Sequence, residues 1–81
     1  MDVLYFAWVR ERVGKPREVV ATEAKTVADL VDELIAREER YAVAFEDMST
    51  IRVALDQELA ELSAPLTGVR EVAFFPPMTG G

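Results

Sequence analysis

The chain has 81 residues, 51% hydrophobic and 30% charged, a balance that fits one small globular domain rather than a disordered segment. It contains neither Cys nor His, which excludes disulfides, zinc and iron–sulfur centres, thiolate catalysis and Ser-His relays, and no apolar run approaches the ~20 residues of a membrane span. The formal net charge of -6 disfavours nucleic acid, whose affinity comes from Lys and Arg neutralising phosphates, and favours a protein partner with a basic docking surface.

The start, Met1-Asp2-Val3, leads into an apolar stretch broken by Arg10, Glu11 and Arg12. It lacks the basic region and cleavage site of a signal peptide, so a cytoplasmic location and no membrane contact are expected. Val3 to Val9 reads as a buried strand, with Val3, Tyr5, Ala7 and Val9 on one face and Leu4, Phe6 and Trp8 on the other. Arg10 to Gly14 reads as a short helical turn closed by Gly14, Lys15-Pro16 as a loop, and Arg17 to Thr22 as a second strand. Thr26 can accept from first-turn amides, and acidic Asp29 suits a helix N-terminus, so a helix should begin there. Val27, Leu30, Val31, Leu34 and Ile35 form its single apolar stripe, with Asp32, Glu33, Arg37 and Glu38 on the remaining faces.

Tyr41 to Phe45 is compatible with a short helix or a packed loop, and a loop with a helical turn is preferred. Ile51 to Leu55 alternates as a strand, Asp56-Gln57-Glu58 is its turn, Leu59 to Leu62 a return strand, and Ser63 to Gly68 a connection. Glu71 to Phe75 is apolar on both faces, as a central strand would be. The order β-β-α-β-β-β predicts an α+β roll, a mixed sheet with one main helix on one face, formed by residues 1–75. One helix cannot cover both faces. Phe6, Leu59 and Phe75 are therefore expected in a partly exposed patch that docks a partner, unless Tyr41 to Phe45 folds over it.

Residues 76–81, Pro76-Pro77-Met78-Thr79-Gly80-Gly81, read as a flexible C-terminal tail. The diproline fixes φ and extends its neighbours, holding the tail away from the body. Two glycines make the thinnest peptide that can enter a narrow slot, and the chain is expected to end there in a free carboxylate on Gly81, the candidate reactive group.

Tyr5-Phe6-Ala7 with Val9-Arg10-Glu11, the Thr26 helix start, Ala42 to Glu46, Pro65-Leu66-Thr67, and above all Glu71 to Phe75 followed by Pro76-Pro77 and Thr79-Gly80-Gly81 resemble the small subunit of molybdopterin synthase. The resemblance spans essentially the whole chain and implies a ubiquitin-like β-grasp fold. It also implies a sulfur carrier for molybdenum cofactor biosynthesis, not an enzyme by itself. A ubiquitin-activating-like adenylyltransferase would adenylate Gly81 with ATP, and a sulfur donor protein would convert it to a thiocarboxylate. The tail, Pro76 to Gly80, would then insert into the large synthase subunit within a heterotetramer, and sulfur would pass to cyclic pyranopterin monophosphate to build the dithiolene. The chain itself would bind no cofactor and no metal.

Two segments depart from that family's pattern. Gly68-Val69-Arg70 stands where an Asp-Gly-Asp-like turn is common, and Asp56-Gln57 where an Asn-Gln pair is common. Glu46, Asp47, Glu58 and Glu61 are candidate contacts for basic partner surfaces. Alternatives that share the tail are a sulfur carrier for thiamine thiazole synthesis or tRNA thiolation, and a ubiquitin-like modifier joined through Gly81 to a lysine. A non-covalent adaptor, for which the tail is incidental, is a further one.

Overall fold

The computed structural model of the chain describes residues 1–77, so the predictions for Met78, Thr79, Gly80 and Gly81 lie outside the described residues. Five strands, β1 (Asp2–Tyr5), β2 (Arg17–Val19), β3 (Arg52–Leu55), β4 (Glu58–Ala60) and β5 (Glu71–Phe75), form one sheet in the order β2-β1-β5-β3-β4. The central pair β1–β5 is parallel and the other pairs are antiparallel. Three α-helices, α1 (Ala7–Val13), α2 (Val27–Arg37) and α3 (Glu39–Ala44), accompany the sheet, with a 3₁₀ turn at Met48–Thr50. This is the expected mixed α+β roll, with two more helices than expected.

Strand alternation explains why all the helices can share one side. Val3 is opposite Val72 and Tyr5 opposite Phe74, and Phe74 is opposite Val53. These residues are buried in one cluster with Val9 and Val13 of α1, Val27, Leu30, Val31 and Leu34 of α2, and Tyr41 and Ala44 of α3. Phe74 is its aromatic centre, stacked on Tyr5 at 6.2 Å between centroids and met edge-on by Phe45 at 4.9 Å. Tyr41 and Phe45 therefore fill the helical side and do not cover the other face. The intervening row, Leu4–Ala73–Ala54–Leu59, lies on that other face by register.

α2 forms where the apolar stripe predicts. The Thr26 side chain accepts from the Asp29 N–H at 3.2 Å, and the Ala64 and Leu62 carbonyls accept from Val27 and Ala28, so the connection before β5 closes the first turn of α2. The first strand ends earlier than its composition suggests, at Tyr5. Ala7 takes a left-handed φ of 52°, which turns the chain out of the sheet and into α1. Val9 and Val13 are core residues of a helix, and Gly14, at φ 96°, closes it as expected. β2 stops at Val19 rather than Thr22: the Val20 N–H still donates to the Met1 carbonyl at 2.8 Å, and the Thr22 hydroxyl bonds Glu33 of α2. Residues 39–44 form a complete short helix where a loop with a helical turn was preferred: Tyr41, Ala44 and Phe45 make an inward i, i+3, i+4 face. The β3–β4 connection is a two-residue hairpin, Asp56-Gln57, both at positive φ (49° and 72°), so Glu58 is already the first residue of β4.

Candidate functional site

The face without helices carries a groove of about 620 Å³. Its floor is Ala73 and Ala54, neighbours across β5 and β3, and its walls include Leu4, Phe6, Phe75, Pro76 and Pro77. Both alanines are buried yet lie outside the main core cluster, which places them under these larger side chains and not among the helices. Phe6 is 45% exposed and Phe75 half-buried. The predicted residues Phe6, Phe75, Pro76 and Pro77 are thus brought together at one end of the sheet, where β5 leads into the diproline.

Leu59 stands apart from them. It lies on the same face, opposite Ala54, but on edge strand β4 and 77% exposed, and it does not line the groove. Leu4, Ala7, Ala54, Gln57, Glu71 and Ala73 do line it and were not singled out from the sequence. Their signal was available only through strand register, since Leu4, Ala73 and Ala54 become one row once β1, β5 and β3 are paired. A larger depression of about 850 Å³ surrounds Met1, Thr22, Glu33 and Arg70. It opens at the other end of β1 and β5 and mixes charged with apolar residues, so the smaller apolar groove beside Pro77 is the candidate site.

Phe6 is held at the groove by backbone geometry. Its N–H donates to the Phe74 carbonyl at 3.1 Å, and its own carbonyl accepts from Val9 and Arg10, which ties it to β5 on one side and α1 on the other. A left-handed alanine such as Ala7 costs about 1–2 kcal/mol, a strain placed at the groove wall itself. At the hairpin end, the Asp56 carboxylate accepts from the Arg70 and Glu71 N–H groups, both at 3.0 Å, and its N–H donates to the Glu71 carbonyl. Asp56 thus has a structural task, fixing the entry to β5. Asp47, a candidate partner contact, is exposed and caps the 3₁₀ turn through Ser49.

The titratable groups that depart from their ordinary values sit on the helical side. Glu18 accepts from the Tyr5 hydroxyl at 2.7 Å and the Tyr41 hydroxyl at 2.6 Å, both on Oε2, and from Lys15 at 3.3 Å on Oε1. Burial works against its charge, but the hydrogen bonds from Tyr41, Tyr5 and Lys15 outweigh it and hold the carboxyl below its ordinary value. Burial, then the bond to Glu18, raises the Tyr5 hydroxyl, and the same causes push Tyr41 up to about 12. None of the three lines the groove, so this network belongs to the fold. Among the described residues, no cluster of three or more acidic side chains could hold a metal ion, and no helix is long and apolar enough to cross a membrane.

Residues 3–81 match the ThiS family. The chain is 46% identical over its whole length to the molybdopterin synthase sulfur carrier subunit of Escherichia coli K12, covering 99% of that protein. It is 37% identical to the subunit of the same name from Mycobacterium tuberculosis, covering all of this chain and 96% of that one. Among solved structures, it is similar to small archaeal modifier protein 1 of H. volcanii, with a TM-score of 0.76 and 26% identity over 96% of this chain and 97% of the other. A family match through residues 3–81, on a ubiquitin-like roll whose central strand leads into the diproline, establishes that the chain belongs to the ThiS family and is kin to its molybdopterin synthase sulfur carrier subunits.

Proposed function

We propose that the chain is the sulfur carrier subunit of a molybdopterin synthase, working in the cytoplasm as a cosubstrate rather than a catalyst. The observation that carries this reading is the full-length kinship with the E. coli carrier subunit, which extends through Gly81. The geometry supports it. β5, bonded to neighbours on both sides, leads directly into Pro76 and Pro77, neither of which has an N–H to bond back to the sheet.

A carboxylate is a poor electrophile, so Gly81 requires activation. An adenylyltransferase joins its carboxylate to AMP from ATP and releases pyrophosphate. Sulfide-level sulfur delivered by a donor protein then attacks the acyl-adenylate carbonyl and displaces AMP, leaving a thiocarboxylate. In the large subunit, that sulfur bonds to cyclic pyranopterin monophosphate, water cleaves the carbonyl–sulfur bond and returns Gly81 to a carboxylate, and a second thiocarboxylated copy supplies the other sulfur of the dithiolene. Phe6, Leu59 and Phe75 dock the body on the large subunit, and binding energy from this remote surface positions the thin tail for reaction.

The test is reconstitution with the large subunit, the adenylyltransferase, ATP, a sulfur donor and cyclic pyranopterin monophosphate. Dithiolene formation with the intact chain, and none with a chain lacking Gly81, is expected. Equal product from both would overturn the reading. The likeness to an archaeal modifier protein favours a second reading, a protein modifier. Covalent conjugates of higher mass in cell extracts, dependent on Gly81, would mark that role.

A further inference from the structure

We infer that the body around the tail is kept free of nucleophilic amines, its exposed cations there being arginines, so that an activated Gly81 is passed on to sulfur and not consumed by the carrier's own side chains. This rests on the carrier reading and deepens it. The chain has seven arginines and two lysines. Arg52 is exposed on β3 directly opposite Phe75, and Arg10 is exposed on α1 one turn beyond Phe6, whose N–H donates to the Phe74 carbonyl. Both therefore stand at the end of the sheet where β5 leads into Pro76. Lys15 precedes β2 at the same end, since the Pro16 carbonyl accepts from Tyr5, but its Nζ is bonded to Glu18 at 3.3 Å on the helical side, away from the groove that Pro76 and Pro77 line. Lys25 is exposed at the far end: its carbonyl accepts from Leu66, four residues before Arg70, and the Arg70 carbonyl accepts from Asp2 at the start of β1.

Four residues follow Pro77, and at about 3.3–3.6 Å each they carry the Gly81 carbonyl no further than about 14 Å from it. Arg52 lies one strand spacing, about 5 Å, from Phe75, whereas Arg70 lies five residues back along the chain from Phe75, about 17 Å at strand rise. On the acyl-adenylate, a neutral amine within reach attacks the carbonyl carbon. The C–N bond forms, the bond to the AMP oxygen breaks and AMP leaves with its electron pair, and the ammonium proton goes to solvent, so that the tail ends as an inert amide. About one lysine in 250 is neutral at pH 8, against fewer than about one arginine in 30,000, and a short tether raises the local concentration of the amine to about millimolar. Arginine thus keeps the positive charge beside the tail without the nucleophile.

The test adenylates the full-length chain with the adenylyltransferase and ATP but no sulfur donor, separates it from the enzyme by gel filtration, holds it at pH 8 and reads the intact mass. The wild type should gain one adenylyl group and then hydrolyse back to its starting mass. Arg10→Lys and Arg52→Lys keep the charge and are expected to keep the melting temperature. Each should yield about fivefold or more, relative to wild type, of a species one water lighter than the starting chain, mapped by fragmentation to an amide between position 10 or 52 and Gly81. Arg70→Lys, the same exchange at the far end of β5, should hydrolyse as the wild type does. Arg10→Lys and Arg52→Lys chains that form no amide, an Arg70→Lys chain that forms as much as they do, or a wild type that closes on Lys15 would overturn the inference and leave the carrier reading standing. A wild type that gains no adenylyl group would overturn the carrier reading and this inference with it.

Discussion

Replacing Glu18 by Ala should destabilise the domain more than any single surface change, although Glu18 is a charged residue on a three-residue edge strand. Its Oε2 is the shared acceptor for Tyr5 and Tyr41, which are 1% and 2% exposed, so removing it leaves two buried hydroxyls without their partner. At about 1–3 kcal/mol for each unsatisfied buried group, the loss is about 2–6 kcal/mol. A domain of this size has about 4–12 kcal/mol of stability in all. At about 4–8 °C per kcal/mol, the melting temperature should fall by at least about 8 °C. Glu18→Gln keeps an acceptor but loses the charge, and should cost about 1–2 kcal/mol at neutral pH.

The pH dependence separates charge from shape. The folded-state carboxyl of Glu18 is held below its ordinary 4.5, so its charge stabilises the fold above the unfolded-state value and is lost as pH falls through the lower folded value. Urea unfolding from pH 7 downward should therefore show the wild-type advantage over Glu18→Gln constant at neutral pH and shrinking below about pH 4.5. A Glu18→Ala protein within about 0.5 kcal/mol of wild type, or a Glu18→Gln difference independent of pH, would refute this account of the network.

Asp56→Ala removes the acceptor for two backbone N–H groups and should cost about 1–2 kcal/mol in urea unfolding, whereas Asp56→Asn, which retains the carbonyl oxygen, should lose less. Gln57→Gly relieves a left-handed φ of 72° and should stabilise by about 0.5–1 kcal/mol. Phe75→Ala and Phe6→Ala should each weaken large-subunit binding about tenfold, and unchanged affinity would remove that ring from the docking surface. One residue added after Gly81, or Gly80 replaced by Trp, should abolish sulfur transfer in the reconstituted reaction with an unchanged melting temperature. Full activity would remove the tail from the mechanism.

The sheet and α2 were legible because their signals are periodic and uninterrupted. Val27 to Ile35 carries one stripe, and Glu71 to Phe75 is bounded by Pro76. What escaped sequence reading was set by backbone conformations without a residue signature. A turn into α1 at an alanine with positive φ has no glycine to announce it, so Val3 to Val9 reads as one strand although Val9 and Val13 hold helical spacing. α3 is only six residues long and lacks a side-chain N-cap, so local sequence leaves it undecided until Tyr41 and Phe45 pack on Tyr5 and Phe74. The groove showed the same division. The exposed aromatic Phe6 was visible as an apolar residue on an uncovered face, while the alanine floor of the groove emerged only when pairing placed Ala54 beside Ala73. Glu18 gave no warning either, because only its register opposite Val3 turns it toward the tyrosines.

The most direct test of the carrier account is the intact mass of the protein after incubation with the adenylyltransferase, ATP and a sulfur donor. A gain equal to the exchange of one oxygen for sulfur, mapped to Gly81 by fragmentation, is the predicted result. An unchanged mass, under conditions that convert the E. coli carrier subunit, would contradict the central claim.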